Sequence, residues 1–179
     1  MDHRDAVALL GTAVPRAAGI WADFGAGDGT FTRALVELLG SDGRVYAVER
    51  DLLKLAALEA WAREAHASVT TVRADFTAPF HLPGLAKGQV DGLLIANALH
   101  YSAEPGAVLA ELVAWLRPRG RVVLVEYDRR RANQWVPYPI AVSELRDLAA
   151  AAGLAPFTVA ARRPSAFSGE LYVAFADRP

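Results

Sequence analysis

Three glycines at alternate positions, Gly25, Gly27 and Gly29, sit in the stretch IWADFGAGDGTFTRAL, between a short apolar run and a helical pattern. Glycine admits positive φ and lets backbone approach a ligand closely. A helix that follows such a loop offers unpaired N–H groups at its start. The chemistry this stretch serves is binding by backbone rather than bond breaking by side chains. Groups suited to side-chain chemistry come later: the acids Glu49 and Asp75, then Asn97, then the neighbours His100 and Tyr101. A histidine exchanges a proton near neutral pH. His3, His66 and His81 have no partner spacing that suggests a metal. There is no cysteine, which removes a thiol nucleophile, thiolate ligands and disulfides. Farther on lies DRRRANQWVPYP. Its run Arg129 to Arg131 reads as a solvated face, and Trp135 and Tyr138, flanked by prolines, read as a substrate lid.

Short elements must hold these groups in place. Ala6, Val7, Leu10 and Val14 share one helical face, closed by Pro15 and Gly19. Ile20 to Phe24 is a short buried strand that ends at the glycines. Phe31, Ala34, Leu35, Leu38 and Leu39 repeat at helical spacing until Gly40. RVYAVE is a second strand, and Asp51 caps a helix running to about His66. SVTTVRA, VDGLLIAN and RVVLVEY read as three more strands. Between the last two, Val108, Leu109, Leu112, Val113 and Leu116 mark a helix that RPRG ends. A helix capped by Ser143 and closed by Gly153 follows, and then a hairpin around Phe157 to Ala161 and Leu171 to Phe175. Strands alternating with helices predict an α/β fold, Rossmann-like and doubly wound. Its sheet is seven-stranded and mostly parallel, with helices on both faces, and its last strand is antiparallel, at an edge. No repeat or linker divides the chain, so residues 1–179 are expected to form a single domain.

Placed on these elements, the motifs run D-x-G-x-G-x-G from Asp23 to Gly29, Glu49 twenty residues after Gly29, Asp75 in VRADF, Asn97 in IANALHY, and WLRPRGRVVLVEYD. Together they resemble the class I S-adenosylmethionine-dependent methyltransferases over roughly Ala18 to Asp128, in the manner of small-molecule and quinone-type domains. The resemblance implies S-adenosylmethionine as cofactor, S-adenosylhomocysteine as product and no metal. It implies that Glu49 accepts both ribose hydroxyls. Asp75 would take the adenine amino group, with Phe76 beside it. The backbone of Gly25, Ala26 and Gly27 would approach the methionine part, and Asp23 would help hold the amino group. Arg50 and Asn97 complete the implied cofactor site. The acceptor would lie past the fourth strand, which makes His100 and Tyr101 the catalytic candidates and Trp135 and Tyr138 the substrate-binding ones. NALHY departs from the Asn/Asp-Pro-Pro-Tyr pattern of enzymes that methylate nucleobase or glutamine amino groups, so a different small-molecule acceptor is expected.

Other readings of the same residues stand beside these. Read as structure alone, the loop is a tight turn, Glu49 a solvated strand end and Asp75 a turn cap. Asp23 is then a tie on the loop backbone, and His100 a packing residue. A dinucleotide fingerprint would read G-x-G-x-x-G. Here the third glycine comes one residue early and Thr30 holds its place, which leaves a nicotinamide-dependent oxidoreductase as the minor alternative. A non-catalytic or macromolecule-directed S-adenosylmethionine-binding protein is the other. The net charge of −1 argues against a general nucleic-acid partner. No apolar run approaches the roughly 18 residues of a membrane helix, and the first residues do not resemble a signal peptide. A cytoplasmic protein is therefore expected, with its oligomeric state open.

Overall fold

The computed structural model describes residues 1–128, 131–165 and 169–179. Its elements are α1 (His3–Leu10), β1 (Ile20–Phe24), α2 (Thr30–Leu39), β2 (Arg44–Glu49), α3 (Leu52–Glu64), β3 (Val69–Arg73), β4 (Val90–Ala96), α4 (Pro105–Val113), β5 (Leu116–Asp128), α5 (Leu145–Ala151), β6 (Thr158–Pro164) and β7 (Glu170–Asp177). The strands form one sheet in the order β3-β2-β1-β4-β5-β7-β6. β1 to β5 are parallel, and β7 runs antiparallel to both β5 and β6. The last strand is thus antiparallel, as expected, but it is not an edge. It inserts between β5 and β6, and β6 lies outermost.

Both faces of the sheet are covered. On one, Leu10 of α1 and Leu35 and Leu38 of α2 pack against Trp21, Val45, Val123 and Val125, while Leu58 of α3 meets Ala47. On the other, Leu109 and Leu112 of α4 and Leu148 of α5 pack against Phe24, Leu93, Val122 and Leu124. Alternate residues of each strand therefore serve opposite cores. Asp51 caps α3 as its sequence suggests, accepting from the N–H groups of Leu53 and Lys54 at 2.9 and 3.3 Å. Among the described residues, no helix is long and apolar enough to cross a membrane.

Two local expectations give way. Leu116 belongs to β5 rather than to the helix before it. Pro118 restricts Arg117 to extended backbone, and Leu116 pairs with Val90 across the sheet. Ser143 does not cap α5. It lies inside a 3-10 turn, Val142–Glu144, where the Ala141 N–H donates to the Glu144 carboxylate at 2.7 Å. Gly153, at φ +66°, does close that helix.

Candidate functional site

Because β1 to β4 are parallel, their carboxyl ends lie along one border of the sheet. From β1 the chain proceeds outward through β2 and β3, then returns to place β4 on the other side of β1. The crevice at this switch point is where open α/β sheets bind ligands. Two cavities meet there. One, of about 360 Å³, is lined by Gly25, Gly27, Glu49, Arg50, Asp75, Phe76, Asn97, Ala98 and Tyr101. The other, of about 590 Å³, is lined by Asp23, Ala26, Thr30, Phe31, Tyr127, Arg163 and Ser165. Gly25, Gly27, Lys54 and Asn97 border both, so the two form one cleft.

The glycine loop forms the floor between them. Gly25 has φ +79°, and a Cβ there would lie 2.5 Å from Ala98 Cβ and 3.4 Å from the Phe76 ring. Glu49 braces the loop. Its Oε2 accepts from the Gly27 N–H and its Oε1 from the N–H groups of Arg50 and Asp51, each at 2.9 Å. The tie on the loop backbone is therefore Glu49, and Asp23 does something else. The Asp23 carboxylate is 1% exposed. Its Oδ2 accepts from the Thr32 hydroxyl at 2.6 Å, and its Oδ1 has no partner. Burial pushes this carboxyl up to about 7, helped by the charge of Glu49 and opposed by the Thr32 bond.

Asn97 ends β4 with φ +51°, held there by a bond from its N–H to the Val125 carbonyl at 2.8 Å. Its Oδ1 is also buried without a partner. Two unmatched acceptors at one switch point are unusual, because buried polar atoms are nearly always paired. A ligand cation rich in N–H donors fits them. Asp75 does cap its own turn, accepting from the Thr77 hydroxyl at 2.6 Å and the Thr77 N–H at 3.0 Å. Those two bonds hold its carboxyl below the usual range, with a smaller contribution from Arg50, whose guanidinium is 3.8 Å away. Both of those hydrogen bonds fall on Oδ1, while Oδ2 faces Arg50, and the residue lines the cavity.

The structure thus brings Asp23, Gly25, Ala26, Gly27, Glu49, Arg50, Asp75, Phe76, Asn97 and Tyr101 to one cleft. It does not bring Trp135 and Tyr138 to its walls. Tyr138 lines a separate groove with Pro137, Pro139 and Leu148. Trp135 is 68% exposed, presented by a tight turn in which Asn133 Oδ1 accepts from the N–H groups of Trp135 and Val136. Arg131 is exposed, while Arg129 and Arg130 lie outside the described residues. His100 lies behind the cleft, with its ring centroid 4.6 Å from that of Tyr101 and 6.1 Å from that of Tyr127. It is held there by Glu126. Thr32, Lys54, Glu126, Tyr127 and Arg163 escape a reading of the sequence. Only Glu126 carries a signal in it, as the one acid inside the apolar run RVVLVEY. Among the described residues, no group of three or more His, Asp or Glu side chains is placed to hold a metal ion.

Comparison with known proteins agrees with this fold. A family model for a methyltransferase domain matches residues 22–124. No curated protein matches the sequence significantly. Among solved structures, an S-adenosylmethionine-dependent methyltransferase from Aquifex aeolicus superposes with a TM-score of 0.77 at 18% identity, over 98% of this chain and 90% of that one. The 1,6-didemethyltoxoflavin-N1-methyltransferase of Burkholderia thailandensis, solved with 1,6-didemethyltoxoflavin and S-adenosylhomocysteine bound, is 25% identical with a TM-score of 0.76, over 98% and 77% of the two chains. The [4+2]-cyclase SpnF shares the fold at 15% identity and a TM-score of 0.77, over 99% and 80%.

Proposed function

The chain belongs to the class I S-adenosylmethionine-dependent methyltransferase family, and on that premise we propose that it transfers the methyl group of S-adenosylmethionine to a small-molecule acceptor bound in the cleft beside Asn97. One observation carries this reading: Asp23 Oδ1, near the end of β1, and Asn97 Oδ1, just past β4, are buried acceptors without donors, and both residues line the cleft. The α-ammonium of a methionine tail supplies the N–H donors they lack. Glu49, already oriented by three backbone N–H groups, keeps a lone pair on Oε2 for a ribose hydroxyl. Phe76 and Ala98 form an apolar wall suited to an adenine ring, with Asp75 at its rim. The bound cofactor supplies an electrophilic methyl group and its leaving group. The protein aligns the acceptor with it and excludes water.

Calorimetric titration with S-adenosylmethionine and S-adenosylhomocysteine, with NAD as control, tests the reading. One-site binding of the adenosyl ligands and none of NAD is expected. Binding of NAD alone would overturn it. Glu49→Ala should weaken S-adenosylhomocysteine binding by roughly 1.5–3 kcal/mol, because the lost acceptor is charged. Unchanged affinity in a folded variant would remove the ribose assignment.

A pH dependence follows from Asp23. Its carboxyl is protonated below about 7, whereas an ammonium partner favours the carboxylate. Affinity for S-adenosylhomocysteine should therefore rise between pH 6 and 8, and binding near pH 6.5 should release a proton. Titrations in buffers of different ionisation enthalpy measure that release directly. No proton release would mean that the ammonium sits elsewhere.

A macromolecular acceptor is the second reading. Leu53, 81% exposed in the first turn of α3, adjoins Lys54 on the cleft. Tyr101, 52% exposed, stands on its wall. Transfer of radiolabelled methyl to proteins of a cell extract, rather than to its small-molecule fraction, would favour that reading.

A further inference from the structure

We infer that the acceptor carries a carboxylate on an apolar body and that Arg163 holds this carboxylate at the far end of the second cavity; this rests on the methyltransferase reading above. Arg163 lines that cavity from the edge strand β6. It pairs with Leu171 of β7, and Leu171 pairs with Tyr127 of β5. Side chains directly opposite one another on neighbouring strands share a face of the sheet. Leu171 and Tyr127 pack on the face covered by α1 and α2, from which Thr32 of α2 also reaches Asp23. Asp23, Tyr127, Leu171 and Arg163 thus border one cavity on one face. At one end stands the unmatched acceptor of Asp23, and at the other a guanidinium.

That guanidinium is only partly engaged. Its Nη2 donates to Asp5 Oδ2 at 3.1 Å, and its other N–H groups make no hydrogen bond among the described residues. The two side chains are 37% and 48% exposed, so the link aims the group and is weak. The next residue along the strand differs. Arg162 faces the opposite core with Tyr172, and its Nη1 donates to Asp128 and Glu170 at 3.0 and 3.1 Å. Two acids claim that cation, and it lines neither cavity. Arg163 keeps donors in the fork geometry that matches a carboxylate.

The cofactor's own carboxylate is poorly placed to meet it. With its ammonium at Asp23 and Asn97, that carboxylate is bonded to the same carbon and stays near β1 and β4. β6 lies three strands beyond β4, roughly 14 Å at about 4.8 Å per strand, and Arg163 leans towards α1. The cavity, of about 590 Å³, has room for a second molecule, since cavities of about 300–1,000 Å³ hold whole drug-sized ligands. Phe31, Tyr127 and Leu171 line the same space, so the body crossing it is apolar. A doubly charged phosphate suits the site less, because Asp23 and Asp28 border the same cavity and repel it. Anchored at β6, the acceptor turns its other end towards Asn97. The atom that receives the methyl group is then remote from the carboxylate, which is left unmethylated.

Titration of the wild-type S-adenosylhomocysteine complex with benzoate, cinnamate and 2-naphthoate, each beside its amide, tests this. The acids should bind more tightly than the amides of the same shape. Arg163→Gln should weaken the acids about 10-fold, the loss of charged hydrogen bonds at a half-exposed site. It should leave the amides and S-adenosylhomocysteine unchanged, and Arg163→Lys should restore part of the preference for acids. A second measurement needs no variant. The guanidinium ¹⁵N resonances of Arg163 should shift with 2-naphthoate and not with 2-naphthamide. Equal or undetectable binding of every acid and amide would overturn the proposal. Tighter binding of phenyl phosphate than of benzoate would overturn the choice of carboxylate. If Arg163→Gln weakened S-adenosylhomocysteine but not its decarboxylated analogue, Arg163 would serve the cofactor, and the acceptor assignment would fall. Failure of S-adenosylhomocysteine to bind the wild-type protein would instead remove the methyltransferase reading beneath it.

Discussion

Replacing Asp23 by asparagine will make the protein more stable at pH 8 and a weaker binder of S-adenosylmethionine. Keeping this carboxyl ionised in the fold is costly, on the order of 4 kcal/mol, because its pKa is about 7 instead of 3.8. The raised value means that the folded state holds the proton more tightly than the unfolded chain does. Its contribution to stability is full below pH 3.8 and is lost as the pH rises through 7. Asparagine has the same shape and no charge. Its carbonyl can still accept from Thr32, while its amide hydrogens are left without an acceptor, which returns about 1–3 kcal/mol of the gain. A net stabilisation of roughly 1–3 kcal/mol remains at pH 8, or about 2–12 °C in Tm. It should shrink towards pH 5, where the wild-type carboxyl is already neutral. Affinity should fall about 10- to 150-fold, because the cofactor's ammonium loses a charged partner. Thermal melts at both pH values and one titration measure all of this. Equal stability at pH 8 together with equal affinity would contradict it.

Gly25→Ala should be the most damaging change in the loop. Alanine pays about 1–2 kcal/mol to sit at φ +79°. Its Cβ would also stand 2.5 Å from Ala98 Cβ, an overlap that backbone must move to relieve, at about 1–3 kcal/mol. Because Gly25 borders both cavities, that movement falls on the cofactor site as well. Chemical denaturation of Gly25→Ala, Ala98→Gly and the double variant separates the two costs. Ala98→Gly should recover the overlap and leave the backbone cost. Strict additivity of the two changes would show that the strands part freely here.

The difference between what sequence and structure reveal is physical. β1, β2 and the glycine loop are legible because a short apolar run, turn glycines and helical spacing all agree. Asp23, Glu49 and Asp75 are legible because each lies at or close to the carboxyl end of a strand, and those ends in this architecture face one crevice. Their partners are not, because Thr32 meets Asp23 from the next helix and Tyr127 reaches the cleft from β5. Such meetings depend on how elements stack, which no local pattern carries. The position of β7 also escapes local reading. Period and turn signals identify a hairpin, but the strand it pairs with is a long-range choice. Leu116 misleads because one residue continues a helical stripe by chance, and Pro118 decides otherwise two positions later.

The placement of β7 sets a condition on how the chain can be made. Until Glu170–Asp177 has left the ribosome, the apolar strand β5 has β4 on one side and an open row of N–H and C=O groups on the other. During synthesis this half-finished sheet presents a sticky border of the kind that pairs with other chains. A chain cut short before β7 would keep that border permanently, and its fate would be aggregation rather than a smaller working enzyme.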